Sequence, residues 1–340
     1  MKYNTLGRSG AVVSNFALGT MTFGSVTSPP VAREMVTSYM AHGGIVIETA
    51  DIYNNGHAET IIGEILRDLP ARERSSLVIA SKGRFPVGVD PRDAGLSRRH
   101  LSRALDASLD RLGVDHIDLY QLHAWDPVTP LEESLDFLAD AVHMGKISYG
   151  GLSNFTGWQI AKAAAYARGR FPLISMQPQY NLLVREIEYE IIPASIDAGL
   201  GLLPWSPLGG GWLSGKYRRD ERPGETTRLG ENPNAAGMEA FERRNPLDQT
   251  WEVINAVESV SQAHEVSMAQ VALAWVASRP AVSSVILGAR TLGQLDDNLG
   301  ALNLTLTSDD LDTLNAASNP GPADYPYGGA GLEQRDRSIE

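Results

Sequence analysis

Eight short runs of apolar and β-branched residues recur along the chain, each followed by a longer stretch of helical period. They read "FALGT" (16–20), "IVIETA" (45–50), "LVIASK" (77–82), "IDLYQLH" (117–123), "ISYGGLS" (147–153), "LISMQ" (173–177), "GLLPWS" (201–206) and "SSVILG" (283–288). None alternates sharply between apolar and polar residues, as expected of strands buried on both faces. Strands that alternate with helices pair in parallel through right-handed crossovers. Eight such units predict a closed (β/α)8 TIM barrel rather than an open sheet.

The intervening segments carry helix signals. In "SRRHLSRALDASLDRLG" (97–113), Leu101, Leu105, Leu109 and Leu112 form one stripe, with Ser97 placed as N-cap and Gly113 as the stop. "TPLEESLDFLADAVHMGK" (129–146) repeats the plan, with Thr129 as cap, Pro130 at the first helical position, Glu132 at the third and Gly145 as the stop. Two segments break the rhythm. Residues 216–249 are charged and rich in Gly and Pro, and a loop of that length is usually functional, often a lid. The stretch from Asn319 has loop composition, with Tyr325 and Tyr327 available to anchor it. The expected organisation is therefore one barrel over 1–318 and a loop-like tail over 319–340, with no internal repeat beyond the βα unit and no linker.

A barrel of this size accommodates the 340 residues, and 43 % hydrophobic content supplies its core. The net charge of −12 argues against a nucleic-acid partner, which needs a dense cationic surface. With no cysteine, disulfides, thiolate nucleophiles and thiolate-bound metals are excluded. The seven histidines show no metal-binding spacing, so no metal is expected. The N-terminal stretch lacks the apolar run of a signal peptide and no run is long enough to span a bilayer, so a cytoplasmic, membrane-free protein is expected.

Chemistry in such a barrel sits at the C-terminal ends of the strands. Those ends carry Glu48, Tyr53, Lys82 and His123, then Ser153, Asn154, Gln177 and Trp205. Any one of these alone is an ordinary surface or loop residue; their placement at successive strand ends is what points to a site. A cation beside a tyrosine stabilises the phenolate and brings proton transfer closer to neutral pH. A carboxylate would hold the lysine, and His123 would donate to a carbonyl oxygen. Two acids compete for that carboxylate role. Glu48 faces the barrel interior if Ile47 and Thr49 face the helices, whereas Asp51 lies past the strand end, where it is expected to stay solvated.

"GGWLSGKY" (210–217) nearly spells a phosphate-binding P-loop, but Tyr217 stands where Ser or Thr must hold Mg²⁺. Small residues there instead let backbone amides approach a pyrophosphate. In "GARTLGQLDDN" (288–298) a helix starts near Leu292, and its first amides together with Arg290 suit an anion.

The ordered motifs "IETADIYNNGHAETIIGEIL", "IASKG", "DLYQLHAWDP", "GLSNF", "QPQYNLL", "PWSPLGGGWLSGKY" and "VILGARTLGQLDDNLGAL" together resemble the aldo-keto reductase superfamily, in the branch of bacterial sugar-ketone reductases and potassium-channel β subunits. The likeness runs from "LGRSG" to about residue 318. It implies a TIM barrel, NADP(H) as cofactor and an Asp–Tyr–Lys–His tetrad. Tyr53, Lys82 and His123 match the last three; the family aspartate, five residues before the tyrosine, is here Glu48. The resemblance also implies that Trp205 stacks on the nicotinamide, with Ser153, Asn154 and Gln177 bonding its carboxamide. Gly19, Thr20, Ser206, Leu208, Gly211, Lys216 and Gly288 would line the cofactor. Arg290 would take the 2′-phosphate, with Gln294 and Asn298 near adenine. Leu287 stands where the family commonly has proline. The expected function is NADPH-dependent reduction of an aldehyde or ketone. The alternative is an NADP(H)-binding regulatory subunit with slow or vestigial chemistry. Trp125, just after His123, is expected in the substrate pocket; the substrate and the oligomeric state are not legible.

Overall fold

The computed structural model describes residues 1–225, 227–231, 240–322 and 324–334. Strands β1 (Tyr3–Thr5) and β2 (Val12–Ser14) form an antiparallel hairpin. The next eight are β3 (Phe16–Gly19), β4 (Val46–Glu48), β5 (Val78–Gly83), β6 (Ile117–Leu122), β7 (Ile147–Ser153), β8 (Leu173–Gln177), β9 (Gly201–Leu202) and β10 (Val285–Leu287). They pair in parallel in the order β10-β3-β4-β5-β6-β7-β8-β9. The two ends of that order meet. Leu202 N donates to Ala281 O at 2.8 Å, Ser283 N to Leu202 O at 2.9 Å, and Ile286 N to Pro204 O at 3.0 Å. The sheet is thus a closed (β/α)8 barrel.

Alternating side chains divide the strands into an inner and an outer set. Ala17, Val46, Ala80, Leu119, Ile174, Leu203 and Ile286 pack inside, joined by Leu6 and Val13 of the hairpin, which fills the N-terminal end. Leu18, Ile47, Ile79, Tyr120 and Leu122 face the helices in the larger core. A register shift at Gly150/Gly151 interrupts the otherwise regular pairing of β7 with β8.

The Arg98–Leu112 helix begins and ends as its sequence predicts. Ser97 accepts from His100 N, and Gly113 closes the helix in the left-handed conformation. The next helix differs. It spans Leu131–His143 with Pro130 in the N-cap position, one residue later than expected, and the Thr129 hydroxyl donates to Asp126 Oδ2 at 2.7 Å. The run "GLLPWS" forms only a two-residue strand, since Pro204 has no N–H to continue the ladder.

Nor is the 216–249 segment an open loop where it is described. Tyr217, Leu229 and Phe241 pack with Trp212, Trp251 and Ile254 in a core of their own. Residues 226 and 232–239 of the expected lid lie outside the described residues. Past Asn319, one tyrosine anchors: Tyr327 donates to Glu190 Oε1 at 2.6 Å and stacks on Tyr189, while Tyr325 is exposed. Among the described residues no helix is long and apolar enough to cross a membrane.

Candidate active site

Glu48 is the last residue of β4 and shares the inward parity of Val46; Lys82 shares that of Ala80, and His123 that of Leu119. Tyr53 opens a short turn in which Asn54 and Asn55 adopt positive φ, a conformation Asn tolerates. That turn folds the phenol back over the strand ends.

Lys82 is fully buried and satisfies all three of its protons. Nζ donates to Glu48 Oε1, to Thr49 O at 2.7 Å and to Tyr53 Oη at 3.0 Å. Tyr53 Oη in turn donates to Glu48 Oε1 at 3.3 Å. Burial works against the Lys82 charge, but Glu48 and Tyr53 outweigh it and raise the pKa. The Tyr53 phenol is pushed up to about 12 by burial and then by the Glu48 carboxylate, with Lys82 opposing. This corrects the expectation of a phenol drawn toward neutrality, because the cation's effect is smaller than the other two combined.

Gly19 lies beside Glu48: a Cβ there would lie 2.7 Å from Ile286 Cγ2 and 3.1 Å from Leu287 O, but in ordinary contact with Glu48 Oε2 at 3.4 Å, so it is β10 that crowds this position.

Asp51 is not solvated, contrary to expectation: it is 1 % exposed. Its carboxylate lies on the outer side of the barrel wall. The position a side chain on Gly83 would occupy is 2.3 Å from Tyr120 Oη and 3.4 Å from Asp51 Oδ2. Among the described residues neither Asp51 oxygen nor Tyr120 Oη has a side-chain hydrogen-bond partner. Burial, then the charge of Glu59, raises the Asp51 pKa to about 7; the Ile52 backbone N–H, then Arg111 and Lys82, pull the other way. The helix His57–Asp68 carries Glu59 in its first turn, itself held by Ser81 and Arg111.

His123 follows β6, with its ring edge-on to Tyr53 at 6.0 Å and to Phe85 at 4.7 Å. Burial, then Lys82 and Arg84, depress its pKa to about 2, so the imidazole is neutral at any working pH. Asn154, in the left-handed region, ties three strand ends together. Its Nδ2 donates to His123 O at 2.9 Å and Ser153 Oγ at 3.1 Å, and its Oδ1 accepts from Trp205 Nε1 at 3.0 Å.

These groups stand at one end of a cavity of about 870 Å³, in the range of ligand sites. Glu48, Tyr53, His123, Ser153, Asn154, Gln177 and Trp205 line it, as do Gly19, Ser206, Leu208, Gly211, Lys216, Gly288, Arg290, Gln294 and Asn298. Thr20 does not. It is buried, and its N–H and hydroxyl both bond Glu48 O at 3.0 Å. Trp125 is also absent from the cavity wall; it packs edge-on against Phe155 and Trp158.

The far end of the cavity is cationic. Lys216 and Arg290 are joined by Arg228, which sequence reasoning missed because nothing distinguishes it from the other arginines of its charged segment. Burial, then Arg290 and Arg228, lowers the Lys216 pKa. The Leu292–Leu299 helix starts where predicted, with Thr291 accepting from Gln294 N, while Gln294 Oε1 accepts from Arg290 N at 2.9 Å. Gly210, Gly211 and Gly215 all take positive φ, and Tyr217 is buried against Trp212, which rules out a P-loop role for it.

A family model described as "Aldo/keto reductase family" matches residues 15–319. Among similar proteins, a "Probable voltage-gated potassium channel subunit beta" of Oryza sativa subsp. japonica is 36 % identical, covering 95 % of this chain and 98 % of its own. An "Uncharacterized oxidoreductase YrpG" of Bacillus subtilis (strain 168) is 36 % identical, covering 95 % and 97 %. A "Versiconal hemiacetal acetate reductase" of Aspergillus parasiticus is 33 % identical, covering 92 % and 96 %.

Proposed function

The chain belongs to the aldo/keto reductase family, and from that premise we propose that it is an NADPH-dependent reductase of aldehydes or ketones. The observation that carries this reading is the buried Glu48–Lys82–Tyr53 contact beside a neutral His123, at one end of a cavity whose other end is cationic.

The residues present fit the cofactor. Lys216, Arg228 and Arg290 crowd one end of the cavity, an arrangement suited to phosphate groups. At the other end Gln177 Nε2 is buried, has no partner among the described residues and belongs to a side chain on the wall, where it would meet a carboxamide. Trp205 offers a ring held by Asn154, and Gly211 allows close backbone approach. Asn154 would contribute through its remaining acceptor capacity, since both Nδ2 donors are used within the protein. Bound there, NADPH supplies a hydride to the carbonyl carbon.

The chain's own groups handle the proton. Tyr53 Oη donates to the carbonyl oxygen as it gains negative charge. A phenol held near 12 stays protonated until then, yet remains a stronger acid than the alcohol it forms. Lys82, 3.0 Å away, stabilises the phenolate left behind, and solvent restores the proton. Glu48 keeps Lys82 charged and in place. His123, uncharged, orients the oxygen without competing for the Tyr53 proton.

A second reading, a regulatory NADP(H)-binding subunit, draws support from the plant relative named as a channel subunit. The complete Tyr53–Lys82–His123 set favours the enzyme. NADPH oxidation with a panel of aldehydes and ketones separates them: turnover above background supports the reductase, and tight cofactor binding without turnover supports the subunit.

A further inference from the structure

Going beyond the reductase reading, we infer that Lys216 is an acylation site, modified by small acyl phosphates. The chain has five lysines, at positions 2, 82, 146, 162 and 216. Three are ion-paired: Lys82 with Glu48, Lys146 with Asp106 at 2.6 Å and Lys162 with Glu132 at 3.2 Å. Lys2 is exposed just before β1. Lys216 differs from all of these. Among the described residues it pairs with no carboxylate, and it shares the cavity wall with two guanidinium groups, those of Arg228 and Arg290. Asp297, an acid on the same wall, is already engaged, accepting from Ser267 Oγ at 2.9 Å and Gln270 Nε2 at 3.0 Å.

The surroundings make this lysine a nucleophile. A Cβ on Gly211 would lie 2.6 Å from Lys216 Cε and 2.9 Å from its Nζ, so the amine rests over the Gly211 backbone while the residue stays exposed. Burial of the amine, then the two arginines, favours its neutral form, the form whose lone pair attacks an acyl carbon. The same arginines supply recognition, because a guanidinium fork matches phosphate oxygens. Arg228 and Arg290 would hold the phosphate of an acyl phosphate, with its acyl carbon presented to Lys216. Nζ then bonds to that carbon and the bond from the carbon to the bridging phosphate oxygen breaks. The departing phosphate keeps that electron pair and takes the amine's proton. The product is an uncharged amide, which removes one of three cations from this end of the cavity. On the reductase reading, acylation therefore lowers affinity for NADPH, and bound NADPH covers the amine.

The test incubates the protein with acetyl phosphate, or with the neutral acetyl ester of N-hydroxysuccinimide, and follows acetylation of each lysine by peptide mass spectrometry. With acetyl phosphate, Lys216 should react about tenfold faster than exposed Lys2, the gain expected from one charge-assisted phosphate contact. Inorganic phosphate should remove most of that lead, as should Arg228→Gln, a change at an exposed side chain that should leave the fold intact. The neutral ester should show a smaller lead. Lys216 reacting no faster than Lys2, a lead that neither inorganic phosphate nor Arg228→Gln reduces, or an equal lead with the neutral ester overturns the inference. A separate arm addresses the cofactor. NADPH should slow acetylation at Lys216 and leave Lys2 unchanged, and Lys216→Gln should weaken NADPH binding in calorimetry by about tenfold. If Lys216 reacts fastest but NADPH neither binds nor protects it, the acylation site stands and the reductase reading falls.

Discussion

Glu48 stands where the resemblance implies an aspartate one methylene shorter, and its carboxylate reaches both Lys82 Nζ and Tyr53 Oη. Glu48→Ala should therefore strip Lys82 of its counter-ion and lower turnover severely, because a buried charge loses its partner. Glu48→Asp should fall between, measured as kcat with cofactor affinity checked alongside. Asp51→Ala should cost less turnover than Glu48→Ala, now for a reason the sequence did not offer: Asp51 is buried, but on the outer side of the barrel wall, away from the site. Strand parity was enough to choose between the two acids. Burial of Asp51 was not legible, because it depends on Tyr120 and Glu59, which come from a different strand and helix. That burial has a pH signature. The folded carboxyl keeps its proton to about pH 7, whereas the unfolded one loses it near its ordinary value of about 3.9. The stabilising contribution is full below that lower value and is lost as pH rises through about 7. Asp51→Asn should gain in thermal midpoint relative to the parent between about pH 4 and pH 7. A difference that stays flat across that range would contradict the assignment.

At the scale of elements, local signals were read well where the deciding contact was local. Ser97 and Gly113 cap their helix as the sequence indicates, since both act within one turn. Thr129 is not the cap: the helix begins one residue later, behind Pro130, a shift that spacing rules do not resolve. Ser97→Ala should destabilise the protein by about 0.5–2 kcal/mol in urea unfolding, the usual cost of losing an N-cap. The Leu292–Leu299 helix was equally plain, and Arg290 just before it belongs to a cluster whose third cation, Arg228, arrives from far away in sequence. If that cluster holds the 2′-phosphate, Arg290→Ala should weaken NADPH binding by roughly ten- to a hundredfold and leave NADH nearly unchanged. Equal losses for both cofactors in titration calorimetry would move the phosphate elsewhere.

For the whole molecule, eight strand-like runs at regular intervals sufficed to foresee a closed barrel, because only the two-faced burial of parallel strands explains them. What the runs left open was the closure itself, made by backbone bonds between Leu202 and residues just before β10, and the second core around Trp212 that organises the charged segment. Closure is also what brings Glu48, Tyr53, Lys82 and His123 to one rim and the cations to the other end of a single cavity. The most direct test of that arrangement follows one isotope. An aldehyde is reduced with NADPH carrying deuterium at both C4 positions of the nicotinamide, and the alcohol is weighed by mass spectrometry, in the parent and in Tyr53→Phe. The account predicts one deuterium per alcohol in the parent, with the rate falling about 10²–10⁴-fold in Tyr53→Phe while cofactor binding persists. Alcohol without deuterium, or a Tyr53→Phe rate close to the parent's, would contradict it.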